Sequence, residues 1–174
     1  MKKILFICTG NTCRSIMAEG FLNSVIMEDP ILSKHFSASS AGIMAINGDS
    51  ASPNSVQLLK DNWGIDIGSH QAKLIEYEDI KDAYLVLTMT RKHKDALIRL
   101  FPNMKSKIYT LKEYAEGKNT KDYFGKDIAD NYDFTLDILD PYGMPIQIYR
   151  QCARDIKEAI DKIVEKLKQE GDKS

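Results

Sequence analysis

The sequence predicts an α/β fold: one domain over residues 1–174, with a central four-stranded parallel sheet and helices on both faces. Two observations carry this. Short apolar runs alternate with segments of helical periodicity along the chain, the pattern of strands joined by helical crossovers. The first of those runs, Ile4-Leu5-Phe6-Ile7, is apolar without alternation, as in a strand buried on both faces. No internal repeat and no low-complexity linker marks a second domain.

Each element follows in order. Residues 3–8 read as the first strand and residues 15–28 as the first helix, with Met17, Phe21, Leu22, Val25 and Ile26 on or near one face. Ser37 to Ala41 reads as a short second strand ending at Gly42. Ser52-Pro53 has the form of a cap followed by a proline at the first helical position, and Gly64 of that helix's stop. Residues 73–82 suggest a short helix before the clearest strand, residues 83–89. Residues 91–101 read as a further helix, halted before Pro102, and Lys107 to Leu111 as the fourth strand. Residues 145–170 read as a long closing helix, because Tyr149, Cys152, Ile156, Ile160, Ile163 and Leu167 step by three or four. Between Gly117 and Leu136 the pattern is irregular, with Tyr123, Phe124, Tyr132 and Phe134 set among polar residues. A solvated loop pinned by aromatic anchors and a rim near the active site both fit this long insertion.

Composition narrows the function classes. With 24 basic and 25 acidic residues the formal net charge is −1, which argues against nucleic acid or an anionic membrane as the main partner. No apolar stretch approaches the ~18 residues of a membrane span. The opening residues only faintly mimic a secretory signal, since Asn11, Arg14 and Glu19 interrupt the apolar run. A cytoplasmic monomer is the expectation. Three cysteines make no disulfide framework, and neither a Cys-x-x-Cys nor a histidine pair at ligand spacing is present. No metal and no cofactor is therefore expected, and Cys152 reads as a core thiol.

The chemistry concentrates in Cys8-Thr9-Gly10-Asn11-Thr12-Cys13-Arg14-Ser15. This stretch lies between the first strand and first helix, where open α/β sheets place ligands. Free N–H groups and the helix dipole favour an anion there. Arg14 adds a planar charged fork matched to phosphate oxygens. A free thiol is only about 3% thiolate at neutral pH, so donors from Thr9 to Arg14 that favour the anion would activate Cys8. The same donors match a phosphoryl group in its transition state. Ser15 is placed to hydrogen-bond the Cys8 sulfur. The missing acid is supplied by Asp140-Pro141-Tyr142-Gly143, a turn-like string in which proline would stiffen the loop that presents Asp140. Cys8 would form a phosphocysteine, with Asp140 as acid and then as base for the hydrolytic water.

Cys-(x5)-Arg-Ser after the first strand, with Asp140-Pro141-Tyr142 in the last third, resembles the low-molecular-weight protein tyrosine phosphatase family. The likeness extends through Met17-Ala18-Glu19, Ser39-Ser40-Ala41-Gly42, Ser69-His70 and the strand at 83–89. It implies a Rossmann-like or flavodoxin-like sheet, Cys8 as nucleophile, Arg14 as phosphate clamp and Asp140 as general acid. It also implies that Asn11, Ser40 and His70 brace the loop. Ile16 replaces the proline usual after Arg-Ser, and the 117–136 segment is longer than expected.

Within that family Thr12 is the informative position, since typical tyrosine phosphatases place an aliphatic residue there. Thr-Gly-Asn-Thr-Cys-Arg-Ser is similar to the bacterial protein-arginine phosphatases, as are Met89-Thr90, His93-Lys94, residues 111–114 and Ile148-Tyr149. Gly143 follows Tyr142 where tyrosine phosphatases often carry a second aromatic wall, so Tyr142 and Thr12 are the specificity positions. The expected substrates are phosphoarginine proteins, with phosphotyrosine proteins as the alternative. Arsenate reduction needs two further cysteines after the third strand, and residues 80–115 contain none. A phosphate-sensing module would be expected to lack the nucleophile or the acid. The resemblance further implies a reversible Cys8–Cys13 disulfide that protects Cys8 from overoxidation.

Overall fold

β1, Lys2–Cys8, is the spine of the molecule. Its side chains alternate between two cores: Ile4, Phe6 and Cys8 join one, Leu5 and Ile7 the other. That period of two is why an unbroken apolar run is needed here. The computed structural model describes residues 1–118 and 134–171. The β1 strand is followed by α1 (Arg14–Glu28), α2 (Pro30–His35), β2 (Phe36–Gly42), α3 (Pro53–Trp63), α4 (Tyr77–Asp82), β3 (Leu85–Thr88) and α5 (Arg91–Leu100). A short 3₁₀ turn, β4 (Ile108–Thr110) and α6 (Leu111–Glu116) come next, and α7 (Ile146–Gly171) closes the chain.

All strand pairings are parallel, in the order β2-β1-β3-β4. The chain leaves β1 toward β2 and then crosses back to β3, so the topology reverses beside the C-terminal end of β1. Cys8 stands at that point. Helices α1, α3, α6 and α7 cover the larger core, and Ile80 of α4 and Leu97 of α5 belong to the smaller one. The expected stripe on α7 is buried throughout: Tyr149, Cys152, Ile156, Ile160, Ile163 and Leu167.

Some local expectations are corrected. The helix foreseen over 73–82 begins only at Tyr77. Its first residues are claimed by extended pairing, with Gly42 N–H donating to the Lys73 carbonyl at 2.8 Å and Ile75 N–H to the Gly42 carbonyl at 2.9 Å. The strand foreseen over 83–89 is limited to Leu85–Thr88. Helix α2 was not foreseen, although Asp29-Pro30 is a cap and first-turn proline: the Asp29 carboxylate accepts from Ile31 and Leu32 N–H. The short α6 was missed too, despite its capping box of Thr110 and Glu113. Of the 117–136 insertion, residues 119–133 lie outside the described residues. No helix among the described residues is long and apolar enough to cross a membrane.

Candidate active site

The segment Cys8–Ser15 wraps tightly between β1 and α1. Gly42, at the end of β2, shows how tightly: a Cβ there would sit 2.5 Å from the Thr9 carbonyl oxygen and 2.9 Å from Asn11 N. Only glycine admits that approach. Just beyond it, Ile43 and Met44 N–H donate to the carbonyls of Cys8 and Thr9 at 3.0 and 2.9 Å. On the other side Ser52 N–H holds the Thr12 carbonyl at 2.8 Å, tying the loop to the cap of α3. The first turn of α1 has no side-chain cap, so its free N–H groups remain for a bound anion.

Asn11 is the keystone of the loop. It is fully buried and takes φ 57°, the left-handed region that asparagine tolerates better than most residues. Its Nδ2 donates to Ser15 Oγ at 2.9 Å and to Ser40 Oγ at 2.8 Å. Its Oδ1 accepts from Lys73 N–H at 2.9 Å, and its carbonyl accepts from His70 Nε2 at 2.7 Å. The braces expected at Ser40 and His70 are therefore both in contact with the loop. Ser40 in turn donates to the half-buried Glu19, whose carboxyl is pushed up by burial against the opposing pull of Ser40 and His70.

The Cys8 sulfur is buried at 3% exposure. Asn11 N–H donates to it at 3.2 Å and Ser15 Oγ lies at 2.9 Å. Because Asn11 Nδ2 already donates to Ser15 Oγ, the serine hydroxyl is free to point its own proton at the sulfur. Arg14 is 4% exposed, with Nη1 donating to the Ile138 carbonyl at 3.1 Å and Nη2 3.2 Å from Asp140 Oδ2. Asp140 is half exposed, and its Oδ1 accepts from Tyr142 N–H at 3.1 Å. One carboxylate oxygen is thus fixed by its own turn while the other faces the guanidinium. The segment bearing it is anchored to the sheet, since Ile138 N–H bonds the Met89 carbonyl at 2.8 Å and Asp137 accepts from Arg91 N–H at 2.9 Å.

The specificity and redox candidates also fall here. Thr12 is half buried, with Oγ1 3.8 Å from Cys13 Sγ, and Tyr142 is 74% exposed beside Asp140. Cys13 is buried against the Tyr149 hydroxyl at 3.7 Å, and Cys8, Cys13 and Cys152 are free thiols. Burial and Cys13 together push the Tyr149 phenol up to about 12, and burial pushes the Cys152 thiol up to about 12. Sequence reasoning missed three contributors: the Ile138 carbonyl, the Lys73 N–H, and His93, whose Nε2 lies 2.8 Å from Thr9 Oγ1. The two main-chain groups carry no sequence signal. For His93 a signal exists, because Thr90 caps α5 directly after β3, at the edge of the sheet where ligands bind. Among the described residues no three His, Cys, Asp or Glu side chains are grouped to hold a metal ion.

Comparison with known proteins agrees with this geometry. The family model described as low molecular weight phosphotyrosine protein phosphatase matches residues 3–173. The chain belongs to that family. It is accordingly a protein phosphatase, a hydrolase of the cysteine-dependent kind. It is 35% identical over 168 residues to a protein-arginine-phosphatase of Geobacillus stearothermophilus, covering 97% of both chains. Among solved structures, a low molecular weight protein tyrosine phosphatase from T. tengcongensis superposes with TM-score 0.79 at 40% identity, over 95% of this chain and 99% of that one. The YwlE arginine phosphatase, solved as a mutant with a phosphorylated active-site serine, superposes with TM-score 0.80 at 31% identity over 95% of each chain. The α/β phosphatase fold expected from the sequence is the one observed.

Proposed function

We propose that this phosphatase removes the phosphoryl group from phosphoarginine in proteins, with Cys8 as nucleophile, Arg14 as phosphate clamp and Asp140 as proton donor. The thiolate of Cys8 attacks phosphorus, and the bond between phosphorus and the guanidine nitrogen breaks. Asp140 gives its proton to that nitrogen, and the phosphoryl group rests on Cys8. Loop N–H groups and the Arg14 fork carry its equatorial oxygens. Asp140, now a carboxylate, takes a proton from the attacking water, and inorganic phosphate leaves. The Cys8 sulfur departs as thiolate, with Ser15 Oγ and Asn11 N–H in place to receive the charge. The free thiols are in keeping with work in the reducing cytoplasm.

The observation that carries the substrate choice is Thr12. A threonine in the phosphate loop gives a smaller, hydroxyl-bearing wall, suited to a polar planar guanidinium and poorly suited to a phenol. Its main chain is fixed by Ser52, which keeps that wall in place. Phosphotyrosine is the second reading, favoured by the exposed aromatic ring of Tyr142 and by the likeness to the T. tengcongensis tyrosine phosphatase. The deciding experiment measures kcat/KM on matched phosphoarginine and phosphotyrosine peptides for the native chain and for Thr12→Ile. The native chain is expected to favour phosphoarginine and the variant to shift toward phosphotyrosine. A native preference for phosphotyrosine, or a ratio unmoved by the substitution, overturns the assignment.

A further inference from the structure

His93 is a buried titratable group beside the phosphate loop that the chemistry above leaves unused. It occupies the first turn of α5, where the Thr90 hydroxyl caps its N–H at 3.2 Å. The residue is 9% exposed. Nε2 lies 2.8 Å from Thr9 Oγ1, while Nδ1 is buried with no hydrogen-bond partner among the described residues. Burial, helped by the nearby Arg14 charge and opposed by Asp140, lowers its pKa to about 4, so the ring is neutral at working pH.

A half-satisfied imidazole is a poor way to fill a core. An apolar side chain would occupy the volume without stranding a ring nitrogen, and each such stranded group requires a reason. Among the described residues the bond to Thr9 is the only hydrogen bond this ring makes. Thr9 is the residue that directly follows the sulfur-bearing Cys8, and its carbonyl is already held by Met44 N–H. The Thr9–His93 bond therefore fixes the side chain of a residue whose main chain is held from the turn that follows β2. Arg14 and Asp140, the charged pair on the acid side of the loop, are also the charges that act on the ring.

We propose that His93 is a positioning residue for the phosphatase reaction, which through Thr9 Oγ1 holds the start of the phosphate loop in its reactive shape. The inference rests on the phosphoryl-binding role given above to residues 8–15. It makes the Thr9 hydroxyl and the imidazole one unit, tied to α5 and therefore to the central strand β3. Loss of either partner releases the same constraint, and a misplacement of the order of 1 Å at a catalytic loop is enough to cost up to about 10²-fold in rate.

The test is a mutant cycle on the purified full chain, read as kcat/KM on a small aryl phosphate and on the preferred phosphopeptide. His93→Leu and Thr9→Val are each expected to lower kcat/KM by at least about tenfold. The double variant should fall no more than about threefold below the worse single one, because coupled residues do not add. His93→Gln, whose amide reaches toward the Nε2 position, should recover most of the loss. Thr9→Val keeps the buried ring in place, so it probes the bond even where His93→Leu fails to fold. A Thr9→Val variant within about twofold of native activity, or fully multiplicative losses, overturns the proposal. So does a His93→Gln variant as impaired as His93→Leu. Cys8→Ala run in parallel separates the two readings: turnover that survives it refutes the role of the loop itself.

Discussion

Replacing Asn11 by alanine tests the central claim about how the loop is held. The substitution removes three side-chain hydrogen bonds, to Ser15 Oγ, Ser40 Oγ and Lys73 N–H, all between 2.8 and 2.9 Å and all at a fully buried residue. At about 1 kcal/mol net for each, that is roughly 3 kcal/mol. The backbone stays at φ 57°, where a Cβ without a local side-chain bond costs about 1–2 kcal/mol more. The expected total is about 4–5 kcal/mol, which for a chain of this length lowers the melting temperature by roughly 8–20 °C. Asn11→Gly loses the same bonds but not the backbone penalty, and should retain roughly 1 kcal/mol more than the alanine variant. Urea unfolding followed by circular dichroism measures both, with a common slope confirming two-state comparison. A loss below about 1 kcal/mol for Asn11→Ala would show that the network is incidental to stability. Equal losses for alanine and glycine would refute the strain part of the argument.

Other consequences are as direct. Asp140→Asn keeps an oxygen for Tyr142 N–H but has no proton to give, so turnover of a poor leaving group should fall by about 10²–10⁴-fold. A negligible loss there would remove Asp140 from the mechanism. Peroxide is expected to take two electrons from Cys8 and Cys13, joining their sulfurs and being itself reduced to water. Mass analysis after thiol blocking should find that bridge and dithiothreitol should restore activity, whereas sulfinic Cys8 alone would exclude it. The His93 pKa lies at about 4, well below the usual value near 6.5, so the unfolded chain binds the proton more readily. Stability from this group is complete above about pH 6.5 and is lost as pH falls toward 4, by roughly 3 kcal/mol in all. Unfolding at pH 7 and pH 4.5 should show that loss in the native chain and a smaller one in His93→Gln; equal slopes would contradict it.

Elements with strong local signals were legible from residues alone. The unbroken apolar run of β1, the Ser52-Pro53 start and Gly64 stop of α3, and the stripe of α7 all lie within a residue or so of their expected limits. Helices α2 and α6 carry local capping signals and are legible in principle, whereas the late start of α4 has a tertiary cause. Residues 73–75 are compatible with a helix, but Gly42 and Asn11 take up their backbone groups, and that competition arises only after the chain has folded. At the site, residue types singled out Cys8, Arg14 and Asp140 as candidates, because a nucleophile, a fixed charge and an acid have few substitutes, and the fold brings Arg14 and Asp140 within 3.2 Å of each other. What could not be read was support from the main chain. The Ile138 carbonyl that orients Arg14 would be supplied by any residue at that position, so no side chain announces it.

The network around the loop divides into two halves with different work. Asn11, Ser40 and His70 hold the shape of the loop from the β2 side, through bonds that need no substrate. Arg14 is instead gripped on the other side, by the Ile138 carbonyl and by Asp140, and the second of those grips is the proton donor proposed above. A phosphoryl group entering the loop must compete with Asp140 for the same guanidinium. The carboxylate can yield, because its other oxygen stays fixed by Tyr142 N–H and its segment stays anchored through Ile138 and Asp137. Arg14 thus exchanges one anion for another without leaving its place, and the acid remains within reach of the leaving group. Thr12, with its main chain held by Ser52 and its hydroxyl 3.8 Å from Cys13 Sγ, is then the loop side chain proposed to answer to what that leaving group is.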